Sequence, residues 1–140
     1  MSHSYTVAAQ RKLRQELAQR VEALNLEAHS MIDEFNRQFP RGRRPAYLAM
    51  NPDGSLTAMR WRLSGGNNPR FELWDTDGQA VRQQLPELAW PVWVEFEVRR
   101  QDLNHQLAVA LYELQRVSKW LDQRGHVTRL RESVGNDVPF

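Results

Sequence analysis

Hydrophobic positions recur at alternating intervals of four and three residues in two separate stretches of the chain. In the first, Leu17, Val21, Leu24, Ala28, Met31 and Phe35 form such a series, the seam by which one helix packs along another. No Gly or Pro interrupts the chain from residue 7 until "FPRGRRP" at 39–45, so the spacing predicts a helix over about 7–38. Ser4 or Thr6 can cap its start, and Pro40 with Gly42 can end it. At ~1.5 Å per residue this helix is about 48 Å long and needs a partner along its length.

The second series supplies that partner. Trp93, Phe96, Arg100, Leu103, Leu107, Ala110, Leu114, Val117 and Leu121 repeat the same spacing and predict a helix over about 87–124. Pro86 or Pro91 suits its first turn, where a missing amide proton does no harm, and Gly125 is a natural stop. Matching seams predict an antiparallel helical hairpin, with Phe35 near Phe96 and Leu17 near Leu114. The remainder, "GHVTRLRESVGNDVPF" at 125–140, has weak periodicity and is expected to be an irregular tail.

Between the two helices the period changes. "AYLAMN" (46–51), "LTAMRWRL" (56–63) and "RFELWD" (70–75) read as short strands, separated by the turn-forming "PDGS" and "SGGNNP". They predict a three-stranded antiparallel meander over about 46–75, from which "DGQAVRQQLPELAW" leads back with one short helical turn. The expected fold class is therefore α+β: a long antiparallel helical hairpin with an inserted three-stranded antiparallel β-meander, in a single domain over 1–140.

Side chains alternate faces along a strand. Thr57, Met59, Trp61 and Leu63 then share one face, expected to cover the hairpin near Phe35, Phe39, Trp90 and Trp93. Ala58, Arg60 and Arg62 share the other. Phe71 and Leu73 alternate against Arg70, Glu72 and Trp74. If the apolar sets align, Trp74 joins Arg60 and Arg62 on the outer face.

Charge sharpens this picture. Nineteen basic residues oppose seventeen acidic ones, for a net charge of +2, and seventeen of the nineteen are Arg. Arginine presents a planar fork that pairs with phosphates and carboxylates and stacks on rings. A codon bias toward Arg accounts for the enrichment equally well. The chain has no cysteine, which removes disulfides, thiol catalysis and thiolate metal sites. "MSHSYTVAAQRKLRQ" has no apolar core of the secretory type, and no apolar run approaches the ~20 residues that span a bilayer. A cytoplasmic protein without membrane contact is expected.

The arginine-bearing sheet face (Arg60, Arg62, Arg70, Trp74) with the loop Arg41, Arg43 and Arg44 is the main candidate site. Arginines hold phosphates and a tryptophan offers a stacking plane, the combination used on single-stranded nucleic acid. The alternative is a solvated face on which Arg60 and Arg62 pair across strands with Glu72. In "VRRQDLNHQ" (98–106), Arg100 falls on the seam itself. There it would form a buried pair with a carboxylate near Met31, from Asp33 or Glu34, fixing the register of the hairpin. The other reading makes Arg100, Asp102, Asn104 and His105 a polar site, with His29. His3, His29, His105 and His126 match no metal spacing, and "SGGNNP" lacks the context of a phosphate loop. No metal or cofactor is expected, and no catalytic arrangement stands out.

The helix "FEVRRQDLNHQLAVALYELQRVSKWL", preceded by "AMRWR" and "RFELWD", resembles small uncharacterised accessory proteins carried on bacterial integrative and conjugative elements. That resemblance implies a bacterial, cytoplasmic accessory protein in the DNA processing of a mobile element, and it brings no functional residues with it. The expected function is non-enzymatic nucleic-acid binding, single strands favoured. The runner-up is a protein-interaction module or homodimer through the off-seam residues Val94, Val98, Leu111, Tyr112 and Trp120.

Overall fold

The computed structural model describes residues 5–53 and 56–137. In chain order they form α1 (Val7–Gln38), β1 (Ala46–Asp53), β2 (Leu56–Leu63), β3 (Arg70–Phe71), α2 (Thr76–Gln84), a 3-10 turn (Glu87–Ala89) and α3 (Trp90–Asp137). This is the expected α+β arrangement of a helical hairpin with an inserted antiparallel meander, in strand order β1-β2-β3. Ser4, the turn residues Gly54 and Ser55, and the last three residues of the tail lie outside the described residues. The chain divides into two compact units, residues 23–108 and residues 1–22 with 109–140.

The unit 23–108 is built on aromatic rings. Phe35 of α1 is fully buried and meets Phe96, Trp93 and Trp61 edge-on, at centroid distances of 5.2, 5.0 and 5.5 Å. Trp61 of β2 stacks flat on Trp93 of α3, at 5.1 Å and 11°. Such pairs add roughly 0.5–1.5 kcal/mol each beyond the burial of their area. The antiparallel run of the helices shows in the order of contacts: Phe39 with Trp93, Phe35 with Phe96, Glu34 with Arg99. Leu24, Ala28, Met31, Leu103 and Leu107 complete the buried seam. The inner sheet face follows the alternation, with Leu48 opposite Trp61 and Met50 opposite Met59. Trp90 lies instead under Arg82 of α2, at 5.2 Å.

The third strand is shorter than the sequence suggests. Only Arg70 and Phe71 pair with β2, because Asp75 caps α2. Its side chain accepts hydrogen bonds from the backbone N–H of Glu72 (3.0 Å) and of Gly78 (2.9 Å), which bends the chain out of the sheet after Phe71. The expected short helical turn is thus the nine-residue α2. Gly78 is required there, since a Cβ would drive into the Leu73 carbonyl oxygen. The "SGGNNP" turn forms as expected, with Gly65, Gly66 and Asn68 at positive φ.

In the other unit the first turns of α1 and the later turns of α3 run antiparallel. The Tyr5 and Trp120 rings lie 6.4 Å apart, and among the unit's described residues Gln10, Leu17, Ala110 and Val117 are buried. Thr6 caps α1, its Oγ1 accepting from the Ala9 N–H at 3.1 Å. The expected stop at Gly125 does not occur, and residues 125–137 are helical rather than an irregular tail. Gly125 keeps a negative φ, and one interior glycine costs a helix only about 1 kcal/mol relative to alanine. Helix formers and local contacts carry the turns beyond it: Thr128 Oγ1 donates to the Arg124 carbonyl (3.0 Å), and Arg129 Nη2 lies 2.8 Å from His126 Nδ1. From His126 to Val134 every residue is exposed. Among the described residues no helix is long and apolar enough to cross a membrane.

Candidate nucleic-acid interface

The pairing of the strands fixes what the outer sheet face presents. Tyr47 of β1 stands opposite Arg62, and Arg62 stands opposite Arg70 of β3. Ala49 stands opposite Arg60 one step along. Since Trp61 and Met59 point into the core, these residues point away from the helices. Arg44, from the loop after α1, places its guanidinium 5.2 Å from the centroid of the Tyr47 ring. One line therefore runs Arg44, Tyr47, Arg62, Arg70. Arg62 and Arg70 are like charges directly opposite each other, an arrangement that destabilises a sheet unless an anion offsets it.

The seven candidate residues are not equally available. Arg70, Arg41 and Arg43 are exposed, while Arg60 and Arg62 are half-buried. Arg62 donates from Nε to the Asn68 carbonyl (2.7 Å), which orients the side chain. Arg44 is structural. It donates to Asn36 Oδ1 (2.5 Å) and to the Phe39 carbonyl (3.1 Å), closing the C-terminal end of α1. Burial, with the neighbouring Arg41 charge, draws its pKa below the ordinary arginine value. Of the seven candidates, Arg44 is thus the one held by two acceptors at the end of α1.

Trp74 also differs from expectation. It lies in the turn from Glu72 to Asp75, closed by the Asp75 N–H donating to the Glu72 carbonyl (3.1 Å), rather than on the ladder beside Arg60 and Arg62. Among the described residues it makes no ring or cation contact, and it is 64% exposed. The plane is available, but the strand alternation does not place it. Tyr47 is the residue that sequence reasoning missed. It sits on the opposite face from Ala46 and Leu48, so the same alternation applied to "AYLAMN" finds it.

Two carboxylates adjoin the face. Arg60, Arg70, Glu72 and Asp75 line one shallow depression, which sets both carboxylates beside two of the arginines. Both carboxylates have other work. Hydrogen bonds from the Glu72 and Gly78 amides hold the Asp75 carboxyl below its usual pKa, and Glu72 lies 3.6 Å from Arg100.

Arg100 is buried on the seam, but not with the partners the sequence suggests. Its Nε and Nη2 donate to the two oxygens of Glu97, one turn back on α3, both at 2.8 Å. Its Nη1 donates to the Met59 carbonyl (3.1 Å). Glu34 is taken by Arg99 at 2.9 Å, because Arg99 and not Arg100 lies at the exposed edge of the seam. Glu97 also accepts from Trp61 Nε1 (2.6 Å) and Gln101 Nε2 (2.7 Å). Burial pushes the Glu97 carboxyl up, but the bonds from Arg100 and Trp61 outweigh it and hold the pKa below the ordinary value. Burial likewise opposes the Arg100 charge, and Glu97 more than restores it.

Asn104 completes this bracket. Its Oδ1 accepts from the Met59 N–H and its Nδ2 donates to the Met59 carbonyl, each at 2.9 Å. The pairing of Trp61 with Phe71 would bring residue 73 opposite Met59 had β3 continued. The Asn104 amide stands in for that strand residue. Arg100 and Asn104 thus fasten β2 to α3. Asp102, His105 and His29 are all exposed and do not gather with them. Among the described residues no group of three or more His, Asp or Glu side chains could hold a metal.

No protein-family model, no curated protein and no solved structure matches this chain.

Proposed function

We propose that this protein is a non-enzymatic nucleic-acid-binding accessory protein that meets single strands with the outer face of its sheet. The observation that carries the reading is the cross-strand row Tyr47, Arg62, Arg70, in which two cations on a rigid sheet repel each other without an anion. Arg62 and Arg70, with Arg60 beside them, hold phosphates. Arg41 and Arg43 extend the contact along the loop, and Trp74 supplies an exposed plane for a base. Arg44 serves by orienting Tyr47. A cytoplasmic role in the DNA processing of a bacterial mobile element belongs to this proposal and rests on layout alone.

The test is anisotropy of a labelled single-stranded oligonucleotide, beside a duplex control, at low and moderate salt. Removing one phosphate-neutralising charge lowers the slope of log K against log salt by about 0.7 for a single strand. R60A/R62A should therefore weaken binding and flatten that slope by up to about 1.4. Binding and slope equal to wild type would remove the proposal.

A second reading is a protein-interaction module or homodimer. Val127, Leu130 and Val134 are exposed at helical spacing on α3, a short apolar stripe that a second chain could cover. It expects a solution mass that rises with concentration, and a constant monomer mass would end it.

A further inference from the structure

We propose that the unit formed by the first turns of α1 and the later turns of α3 carries a second anion site, a groove that takes a compact polyphosphoryl anion. The inference is independent of the sheet face. Arg11 and Arg14 of α1 and Arg124 and Arg129 of α3 line one groove, with Asp122 as its single carboxylate among the described residues and Ser118 contributing a hydroxyl.

The heptads show that this is more than a solvated helix face. Carried back from Leu17, the α1 seam falls on Arg14; carried on from Val117 and Leu121, the α3 seam falls on Arg124. Both helices place a guanidinium where an apolar side chain is due. Arg14 is exposed and Arg124 half-buried, and guanidinium groups that line one groove repel one another unless an anion lies between them. Four guanidinium groups against one carboxylate leave the groove with a net positive charge. Arg11 and Arg14 make no ion pair among the described residues. The N-terminus of α1 adds to the field, since Val7 lines the same groove and unpaired amides of a first helical turn favour negative charge. The two units differ accordingly in charge: residues 1–22 with 109–140 hold nine basic against six acidic residues, and 23–108 hold ten against eleven.

The chemistry narrows the ligand. Guanidinium forks select phosphoryl or carboxyl oxygens, and several close charges match an anion with several phosphoryl groups better than a single carboxylate. A base has no plane to stack on, because no aromatic side chain lines the groove among the described residues; the Trp120 ring lies outside it, under the guanidinium of Arg124 at 4.6 Å. The ligand class is therefore a free polyphosphoryl anion rather than a nucleic-acid strand.

Calorimetric titration of the full chain with inorganic tripolyphosphate at low salt tests this, with Trp120 as a second reporter. Saturable binding is expected, together with a fluorescence change as the anion draws Arg124 off the ring. R11A/R14A, both at exposed positions, should raise Kd by about tenfold or more. R60A/R62A should leave it unchanged, and W120F should bind normally with the fluorescence change abolished. Absence of saturable binding, an R11A/R14A Kd equal to wild type, or an equal loss in R60A/R62A would overturn the proposal. An abasic deoxyribose-phosphate hexamer that binds more tightly than tripolyphosphate would overturn the assignment to a free anion.

Discussion

The two compact units use arginine in opposite ways. In residues 23–108 several arginines are bound into the fold: Arg44 closes α1, Arg82 covers Trp90, Arg99 joins Glu34, and Arg100 holds Glu97 and Met59. The outward-facing candidates there belong to one sheet face and one loop. In the groove of the other unit, Arg124 lies against a ring and Arg129 against a His nitrogen, and neither contact supplies a negative charge. The first unit is held by rings and a buried ion pair. The second buries Gln10, Leu17, Ala110 and Val117 among its described residues and carries a groove rich in positive charge. Arginine count alone therefore says little about binding. What the neighbours of a guanidinium supply says more: a carboxylate pairs with Arg99 and with Arg100, whereas none pairs with Arg11 or Arg14 among the described residues.

The largest effect should follow from breaking the bracket in the first unit. Arg100→Ala removes one partner of a buried pair and leaves Glu97 uncompensated, a loss of roughly 3–5 kcal/mol measurable by urea unfolding. A loss below ~1 kcal/mol, less than a single net hydrogen bond to a charged group, would show that α3 and β2 do not depend on it. Gly78→Ala should also be severe, because the new Cβ meets backbone.

Asn104→Ala should cost about 1–3 kcal/mol, since it leaves the N–H and carbonyl of Met59 short of partners. Amide exchange at Met59 should accelerate with it. The two stacked tryptophans sharpen the point. Trp61 Nε1 is bonded to Glu97, whereas Trp93 Nε1 is buried without an acceptor among the described residues. Trp61→Phe should therefore destabilise more than Trp93→Phe, by roughly 1 kcal/mol; an equal or reversed order would contradict the assigned bond.

Acid should act on the same unit. Glu97 has its folded pKa below the ordinary glutamate value of 4.5, so the unfolded chain takes up the proton first as pH falls. The stabilisation is complete above the ordinary carboxylate range and declines as pH falls through the folded pKa. The slope of stability against pH below about 4.5 should shrink in Glu97→Gln. A slope identical to wild type would assign the acid sensitivity elsewhere.

The smallest effect is expected in the second unit. Gly125→Ala should stabilise by up to about 1 kcal/mol, since the nearest atom to the new Cβ is the flexible end of Arg129, 3.6 Å away. Destabilisation would mean that Gly125 is needed in the groove.

The seams, the Phe35–Phe96 contact and the inner face of β2 were legible in the sequence, because each rests on a period set by backbone geometry. The end of β3 was not legible. It depends on Asp75 competing as a helix cap and on Asn104, distant in sequence, taking the place of a strand residue. The partner of Arg100 was missed for a related reason: Glu97 shares its own helix face, and seam reasoning looks only across. Gly125 misled because a glycine marks a helix end only when the chain adopts positive φ there. At the candidate site, alternation found Arg60, Arg62 and Arg70 but could not show that Arg44 is occupied by the oxygens of Asn36 and Phe39.

The most direct measurement is a two-dimensional amide spectrum of the isotope-labelled chain during titration with a short single-stranded oligonucleotide. Shifts are expected at Tyr47, Arg60, Arg62 and Arg70 and at the Trp74 indole N–H, fading as salt rises. Shifts confined to the groove of Arg11, Arg14, Arg124 and Arg129, with the sheet unmoved, would contradict binding by the sheet face.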